Sequence, residues 1–158
     1  VRQQNRRVWP AAGGLVRPLE PAHVRISQLM CPDPTVAKAM ARNILGTDLQ
    51  LCCSDPVTGF FRDGYCNTNR MDQGTHVICA SVTEKFLAFT RLRGNDLTTP
   101  RPEFRFPGLK PGDGWCLCAL RWKEAFDAGV APPIRARATH ERALDFIPIE
   151  VLAQFRVD

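Results

Sequence analysis

The sequence HVICASVTEKFLAFTRLRG, residues 76–94, places a strand signal directly before a helix signal. Residues 76–82 are apolar and rich in strand-forming side chains, which predicts a buried strand. Thr83 is a favourable N-cap for the apolar residues that follow it, and Gly94 is a favourable residue just past a helix end. The stretch therefore predicts a strand that leads into a helix.

Weaker patterns on either side predict the other regular elements. Apolar runs favour strands, alternation of apolar residues with arginines favours a half-exposed strand, and Gly129 favours the end of a helix. Turn signals such as Asp55-Pro56 and Asp63-Gly64 predict a long loop that runs to about residue 74. The predicted elements are strands at 49–52, 115–120 and 134–139 and helices at 121–128 and 148–155.

The length and composition favour one soluble domain. A chain of 158 residues that is 44% apolar is long enough to build a single core. It contains no apolar run of the roughly 18 to 20 residues that a membrane-spanning helix needs, and no secretory leader pattern. We therefore expect a protein that does not span a membrane.

Most of the positive charge lies in the first 30 residues, where five arginines face one acid and account for +4 of the net +5. Prolines and glycines interrupt residues 1–40, which predicts an extended, irregular arm before the domain at 41–158. Because the remainder is nearly neutral, any affinity for RNA is expected in the arm. The arm residues expected to contact a partner are Arg2, Arg6, Arg7, Trp9, Arg17 and Arg25.

The arm also suggests a compartment and an assembly. It begins at Val1, is rich in arginine and is poor in acids, which is typical of a processed organellar precursor; a truncated sequence is an equally simple explanation. An irregular segment buries too little surface to offset about 1 to 2 kcal/mol of backbone entropy per residue. An ordered arm would therefore need a partner to hold it.

Seven cysteines are an odd number, which does not suit a fully paired disulfide framework. Since no secretory leader is present, we expect a reducing compartment and free thiols, most of them buried. Cys52 and Cys53 would point to opposite faces of a strand and are not expected to act together.

The six cysteines beyond the arm are enough for a four-ligand metal site. No C-x-x-C pair occurs, although structural zinc sites usually contain such pairs. Cys116 and Cys118 would share one face of a strand and could share an ion. We predict no cofactor, and the alternative is zinc. Its candidate ligands are Cys52, Cys66, Cys116 and Cys118.

A nucleophilic cysteine would need a base beside it, and the histidines are His23, His76 and His140. His23 lies in the arm. On a regular strand His76 and Cys79 face opposite ways, so pairing them locally would require a bulge, whereas a pair across two strands stays open.

Other polar and aromatic residues have a structural interpretation. Asp55, Arg62 and Asp63 could form a polar site, but aspartate before proline or glycine is also what turn geometry selects. The aromatic residues expected in the core, and not on a base-stacking surface, are Phe104, Phe106, Trp115 and Trp122.

A series of motifs beyond the arm resembles the domain-of-unknown-function 2237 family over about residues 43–158. The motifs, in chain order, are Leu45-Gly46, Cys52-Cys53-x-Asp55-Pro56-x-Thr58-Gly59-Phe60-x-Arg62-Asp63-Gly64-x-Cys66, Asp72-x-Gly74-x-His76, Arg93-Gly94-Asn95-Asp96-Leu97-x-Thr99-Pro100-x-Pro102-Glu103, Phe106-Pro107-Gly108-Leu109-Lys110-Pro111-Gly112-Asp113-x-Trp115-Cys116 and Arg121-Trp122.

The resemblance implies a single compact α+β domain with short strands and three or so helices, and it carries over no established activity, substrate or cofactor. One segment departs from the family pattern. Where relatives read T-G-P-E-D, this chain has Thr68-Asn69-Arg70-Met71-Asp72, which keeps the aspartate but lacks a carboxylate and the turn-forming Gly-Pro. An activity that depends on this loop in relatives would be affected here.

The function that these features favour is a non-catalytic accessory subunit of a large organellar assembly, mitochondrial in preference to plastid. The body would dock on the assembly while the arm contacts neighbouring subunits or RNA. This expectation rests on analogy with domains that acquire a basic extension. An RNA-binding protein that acts alone is disfavoured by the near-neutral body.

The alternative is a thiol- or metal-dependent enzyme or a small-ligand-binding protein. Its functional residues would gather near the long loop. The candidates are Cys52, Arg62, Asp63, Cys66, Asp72, His76, Cys79 and Cys116.

Overall fold

The computed structural model describes residues 41–158, in which the regular elements are few and short. Strands β1 (His76–Ser81) and β2 (Gly114–Cys118) pair antiparallel. The α-helices are α1 (Glu84–Leu92), α2 (Ala119–Asp127) and α3 (Ile149–Gln154). The predicted α+β class is confirmed, while the predicted arm and its residues lie outside the described part of the chain.

The stretch at residues 76–94 folds as its sequence predicts. The Thr83 hydroxyl accepts a hydrogen bond from the Phe86 backbone N–H at 3.2 Å and so caps the first turn of α1. Gly94 follows the helix with φ at +80°, a conformation that glycine adopts without steric cost. Phe86 and Leu87 are buried and fix the inner side of the helix.

Helices α2 and α3 confirm the two weaker helix predictions. Helix α2 begins two residues before the predicted start, because β2 ends at Cys118 and the chain turns directly into it. Gly129 follows this helix in the left-handed region, at φ +71°. Within residues 41–158 no helix combines the length and apolar character that crossing a bilayer requires.

One face of the sheet packs on a core built around Trp122. Its ring stacks on Phe126 with centroids 5.8 Å apart and meets Phe155 edge-on at 5.1 Å. The indole N–H donates to the Pro132 carbonyl at 3.0 Å, so the buried ring keeps its polar atom satisfied. Ile78 of β1 lies opposite Leu117 of β2 on this face.

The predicted strand at 49–52 is wrong. Leu49 is buried as the pattern suggests, but this stretch has no continuous strand partner. Gln50 donates its backbone N–H to Arg137, and Cys52 donates to Gly64. Arg137 and Gly64 belong to two different segments, and neither segment runs alongside residues 49–52. The stretch is therefore extended and apolar but has no ladder of hydrogen bonds to one neighbouring strand.

The predicted strand at 134–139 is also wrong, although its burial pattern is correct. Ile134, Ala136 and Ala138 are buried, while Arg137 between them is exposed. Ile134 forms an isolated bridge to Ala80 of β1, after which the chain turns into a 3₁₀ helix at Ala136–Ala138 and forms no continuous ladder. Alternating burial therefore does not require a ladder.

Candidate functional site

Four buried cysteines meet where the long loop lies against the sheet. Cys52 is bonded to Cys79, and Cys66 is bonded to Cys116. We call these four residues the cysteine cluster. Cys79 and Cys116 are direct partners across β1 and β2. The Sγ atoms of Cys52, Cys66 and Cys116 all lie within 4.8 Å of one another, so the two disulfides are neighbours.

A tight turn at Gly64 brings the loop cysteines to the sheet. The Gly64 carbonyl accepts the backbone N–H groups of Cys52 and Cys53 at 2.8 and 3.2 Å. Gly64 has φ at +84°, and a Cβ at this position would lie 2.9 Å from the Cys53 carbonyl oxygen. Glycine is required here because the backbone is both left-handed and in close contact.

Two buried threonines join the strands to the surrounding segments. The Thr58 hydroxyl accepts the Cys116 backbone N–H at 2.8 Å, and the Thr139 hydroxyl accepts the Cys79 backbone N–H at 3.1 Å. Both threonines are fully buried. Sequence reasoning missed them, because an isolated threonine carries no signal of its tertiary partner.

The expectation of free thiols is wrong for the cysteine cluster. The sheet register places Cys79 beside Cys116, and the loop then delivers one further cysteine to each of them. Cys53 and Cys118 are free thiols, and both are half-buried. Of the neighbouring residues Cys52 and Cys53, only Cys52 belongs to the cluster, although the strand on which their separation was predicted does not form.

The candidate metal ligands are only partly gathered. Cys52, Cys66 and Cys116 meet as a set of three, and Cys118 is not a member of it, whereas Cys79 is bonded to Cys52 of this set. The sequence argument chose Cys118 because C-x-C spacing puts two residues on one face of a strand. The register between β1 and β2, which places Cys79 and not Cys118 beside Cys116, cannot be read from that spacing.

Asp72 and His76 form a second, separate pair. Asp72 Oδ1 and His76 Nδ1 are 2.6 Å apart, and Asp72 Oδ2 accepts the His76 backbone N–H at 2.8 Å. The Thr68 hydroxyl also donates to Oδ2, at 3.0 Å. The carboxylate therefore orients the imidazole and leaves its Nε2 edge on the outer side of the pair.

The environment of Asp72 favours its ionised form. Burial alone would raise the pKa of this carboxyl, but the hydrogen bonds from the His76 backbone and ring, the charge of the ring and the bond from Thr68 together outweigh that effect. The pKa of Asp72 is therefore lowered from its ordinary value of 3.8. Asp72 stays an acceptor for His76 under neutral conditions.

A bulge in β1 places His76 opposite a free cysteine. The pairing is irregular between His76 and Ile78, and His76 pairs with Cys118 while Cys79 pairs with Cys116. Since cross-strand partners project to the same face, the bulge puts His76 and Cys79 on one side of the sheet. The structure thus contains the bulge that a shared side for His76 and Cys79 requires, but Cys79 is bonded to Cys52, and the residue that pairs with His76 across the strands is Cys118.

His76 lies between two adjoining depressions of about 250 and 270 Å³, which we call the His76 cleft. Both depressions are lined by His76, Leu97, Trp115 and Cys116. Cys118 and Arg121 line the first of them, and Arg62 lines the second. The cleft therefore combines a thiol, an imidazole and two cations on an aromatic floor.

Arg62 and Asp63 sit on the loop above this cleft. The Arg62 guanidinium lies over the Trp115 ring, 5.4 Å from its centroid, and Nη1 donates to the Val57 carbonyl at 3.2 Å. Asp63 Oδ1 accepts the Tyr65 backbone N–H at 2.9 Å, which is the turn role that its position before glycine suggests. Of the two residues, only Arg62 faces the cleft.

A larger groove of about 670 Å³ separates the start of the long loop from the proline-rich segment. We call it the proline groove. Its apolar lining residues include Pro56, Val57, Pro100, Pro102, Phe104 and Phe106. Arg62, Arg105 and Asp55 contribute its charged groups.

One of the four aromatic residues expected in the core, Phe104, lies instead in the proline groove. Trp122 and Phe106 are buried, and Trp115 packs on the core, as expected. Phe104 was expected in the core, but 64% of it is exposed. It lies in a 3₁₀ turn, Pro102–Phe104, where the prolines hold the backbone away from the core.

These features define a small α+β domain whose loop side is cross-linked by cysteines. Residues 42–156 match the model of a family described as "Uncharacterized protein conserved in bacteria (DUF2237)". Because the match covers more than two thirds of the chain, the protein belongs to this family. No curated protein matches the chain.

Proposed function

We propose that this protein is a non-catalytic accessory subunit of a larger organellar assembly, on which the body docks through the proline groove. The observation that carries the proposal is the exposure of Phe104 and Val57, which both line an apolar groove. Apolar side chains that line a groove and face solvent are typical of an interaction site.

The charges at the groove favour a particular kind of partner. Arg62 and Arg105 contribute two positive charges against one negative charge from Asp55. The prolines add apolar surface whose backbone is already restricted, so little conformational entropy is lost on binding. The occupant we propose is an extended segment of a neighbouring subunit that carries apolar side chains and a carboxylate.

The second part of the proposal concerns the arm, residues 1–40. Its arginines and Trp9 would contact neighbouring subunits or RNA, because the positive charge of the chain is concentrated there. The arginine-rich, acid-poor composition favours an organellar assembly, and we propose a mitochondrial one in preference to a plastid one.

The direct test is native mass measurement after gentle affinity purification of the full chain from its source. The expected result is a discrete large assembly, with this chain at fixed stoichiometry and with identified subunits. Deleting residues 1–40 should release the protein while the body still folds. A free monomer, or a truncated form that still co-purifies, would contradict the proposal.

A matched pair of variants tests the groove itself. Phe104→Glu places a charge in the groove and should remove the body from the assembly. Leu92→Glu makes the same kind of change at a residue of α1 that is 87% exposed, and should leave the association intact. Equal behaviour of the two variants would exclude the proline groove as the docking surface.

A second function, thiol chemistry at the His76 cleft, is favoured by one observation. Asp72 orients His76, and His76 lies opposite the free thiol of Cys118 across the two strands. This arrangement is a nucleophile, a base and a carboxylate that orients the base, in the order that cysteine-dependent catalysis uses. The candidate roles are Cys118 as nucleophile, His76 as base and Asp72 as the group that orients the base.

Cys53 and Cys118, the free cysteines among residues 41–158, provide the test for thiol chemistry, since both are half-buried. Alkylation of the folded protein, followed by peptide mass mapping, should label Cys118 faster than Cys53. His76→Asn should slow labelling of Cys118 several-fold and leave Cys53 unchanged. Labelling of Cys118 that is insensitive to His76 would exclude the catalytic arrangement.

A further inference from the structure

We propose that, when its two disulfides are reduced, the cysteine cluster binds one structural zinc ion through the thiolates of Cys52, Cys66, Cys79 and Cys116. This inference goes beyond the docking proposal and is independent of it, because it concerns the inside of the body and not its surface.

The sulfur atoms are already close to the arrangement that zinc requires. Zinc–sulfur bonds of about 2.3 Å in a tetrahedron put the sulfurs about 3.8 Å apart. In the structure three of the four sulfurs lie within 4.8 Å of one another, and the fourth, from Cys79, is bonded to one of these three. Side-chain rotation after reduction would be enough to complete the tetrahedron.

The cluster has the closed character of a structural metal site. Each of its four cysteines is at most 3% exposed. Four protein ligands fill the tetrahedral coordination of zinc and leave no position for water or substrate, which distinguishes a structural site from a catalytic one. The site would therefore stabilise the fold and would not perform chemistry.

A buried zinc tetrathiolate carries a charge of about −2, which needs a compensating environment. Arg135 supplies a cation at the edge of the cluster. Its backbone N–H donates to the Cys79 carbonyl at 2.9 Å, and its guanidinium donates to the Cys52 carbonyl. The positive charge is thus held against the backbone of one ligand residue, Cys52, while the uncharged Arg135 backbone fixes the position of Cys79.

The conversion of the disulfide form into the zinc-bound form balances in electrons and protons. Two equivalents of a small dithiol reductant transfer four electrons and four protons to the two disulfides, which gives four thiols and two molecules of oxidised reductant. Zinc binding then releases four protons as the thiols become thiolates. Oxidation of the cluster would reverse both steps and expel the ion.

The physical benefit of zinc is that it keeps the loop attached under reducing conditions. The disulfides join the loop at Cys52 and Cys66 to β1 and β2. Without them the loop would be held to the strands chiefly by hydrogen bonds such as the one from Cys116 to Thr58. A metal ion replaces the lost covalent connections with four coordinate bonds.

The test uses the full chain, reduced with a phosphine, incubated with zinc chloride and desalted without oxygen. Elemental analysis should find about one zinc per chain, as expected for a four-ligand structural site. Cys53→Ser removes a neighbouring cysteine outside the cluster and should keep the zinc. Cys116→Ser should lose most of it. A reduced, folded wild type without zinc, or equal loss in both variants, would overturn the proposal.

A second measurement does not depend on whether a variant folds. Cobalt(II) added to the reduced wild-type chain should give the intense visible absorption of a tetrahedral cobalt thiolate, and zinc should remove that absorption. Diamide, which oxidises thiols, should release the bound zinc to a chromogenic chelator. The absence of cobalt thiolate absorption in a chain whose thiols are shown to be reduced would overturn the proposal, whether or not that chain is folded.

Discussion

The two faces of the same short sheet are held in different ways. On the helix face, Ile78, Ala80 and Leu117 pack with Trp122 in an apolar core. On the cysteine face, Cys79 and Cys116 are bonded to two residues of an irregular loop. Helices can present a continuous apolar surface, but a loop cannot, because turns and exposed polar groups interrupt it. The cysteine face therefore uses cross-links where the helix face uses packing.

The largest expected effect is on the helix face. Trp122→Ala should lower the free energy of unfolding by about 4 to 5 kcal/mol, the upper end for a buried aromatic residue, because a cavity forms and the Pro132 carbonyl loses its donor. Urea denaturation would measure it. Leu120→Ala on the same helix is the control, since Leu120 is 59% exposed. A comparable loss in the control would refute the claim that this face depends on packing at Trp122.

On the cysteine face, removal of one cross-link should have a slightly smaller effect. In the oxidised, metal-free chain, Cys66→Ala combined with Cys116→Ala should lower the free energy of unfolding by about 3 to 4 kcal/mol, from the unfolded-state entropy of the closed loop. Cys53→Ala should change it by less than about 0.5 kcal/mol. If the double variant unfolded at the same urea concentration as the wild type, the cross-links would not support this face.

Alanine substitutions at two glycine turns, Gly64 beside the cysteine cluster and Gly94 after α1, compare the two faces further. Gly64→Ala should cost about 2 to 3 kcal/mol, because left-handed strain adds to a clash with the Cys53 carbonyl. Gly94→Ala, beyond α1, should cost only about 1 kcal/mol, since φ is positive there but no atom lies within 4 Å of the added carbon. Denaturation midpoints of the two variants would compare them. Equal losses would mean that close packing at Gly64 contributes nothing.

The smallest expected effect is a dependence on pH from His140. Burial disfavours its imidazolium; Arg142 adds to this effect, whereas Glu141 and Asp145 oppose it. The pKa of His140 is therefore held below its ordinary value of 6.5. The unfolded chain takes up the proton first as the pH falls, so the free energy of unfolding should decrease from about pH 7 downward, through 6.5 and toward the lower folded-state value.

His140→Asn isolates this contribution. The His140 ring nitrogen Nδ1 accepts the Arg142 backbone N–H at 3.1 Å, and an asparagine oxygen can accept a similar bond. Urea midpoints of the variant should therefore vary less with pH over this window. If the urea midpoints of the wild type and the variant changed equally with pH, the pH dependence would come from a group other than His140. The lowered pKa of Asp72 affects stability only as the pH falls through 3.8 and below, whereas the His140 contribution begins to fall already near 6.5.

The regular elements could be predicted where their signals are local. Thr83 and Gly94 bound α1 through hydrogen bonds and backbone angles that involve only nearby residues. The failures at 49–52 and 134–139 have the opposite cause. A strand needs a partner along its length, and the sequence of one segment does not say whether the neighbouring segment continues beside it.

The candidate site was predictable in its composition but not in its pairing. Asp72 and His76 lie four residues apart, and the structure brings them together. Cys79, and not Cys118, belongs to the cysteine cluster, because a bulge and a register between distant strands decide which residues face each other. Neither the bulge nor the register can be read from the spacing of the residues in the sequence.

By itself, the sequence determined the family, the α+β class and the position of each α-helix in residues 41–158, because caps, turn residues and motif order act over short distances. The tertiary structure alone decided that four particular cysteines meet, that Cys118 stays free opposite His76, and that Phe104 faces solvent. These are contacts between segments far apart in the chain, and they arise only when the register of β1 against β2 and the path of the long loop are set together.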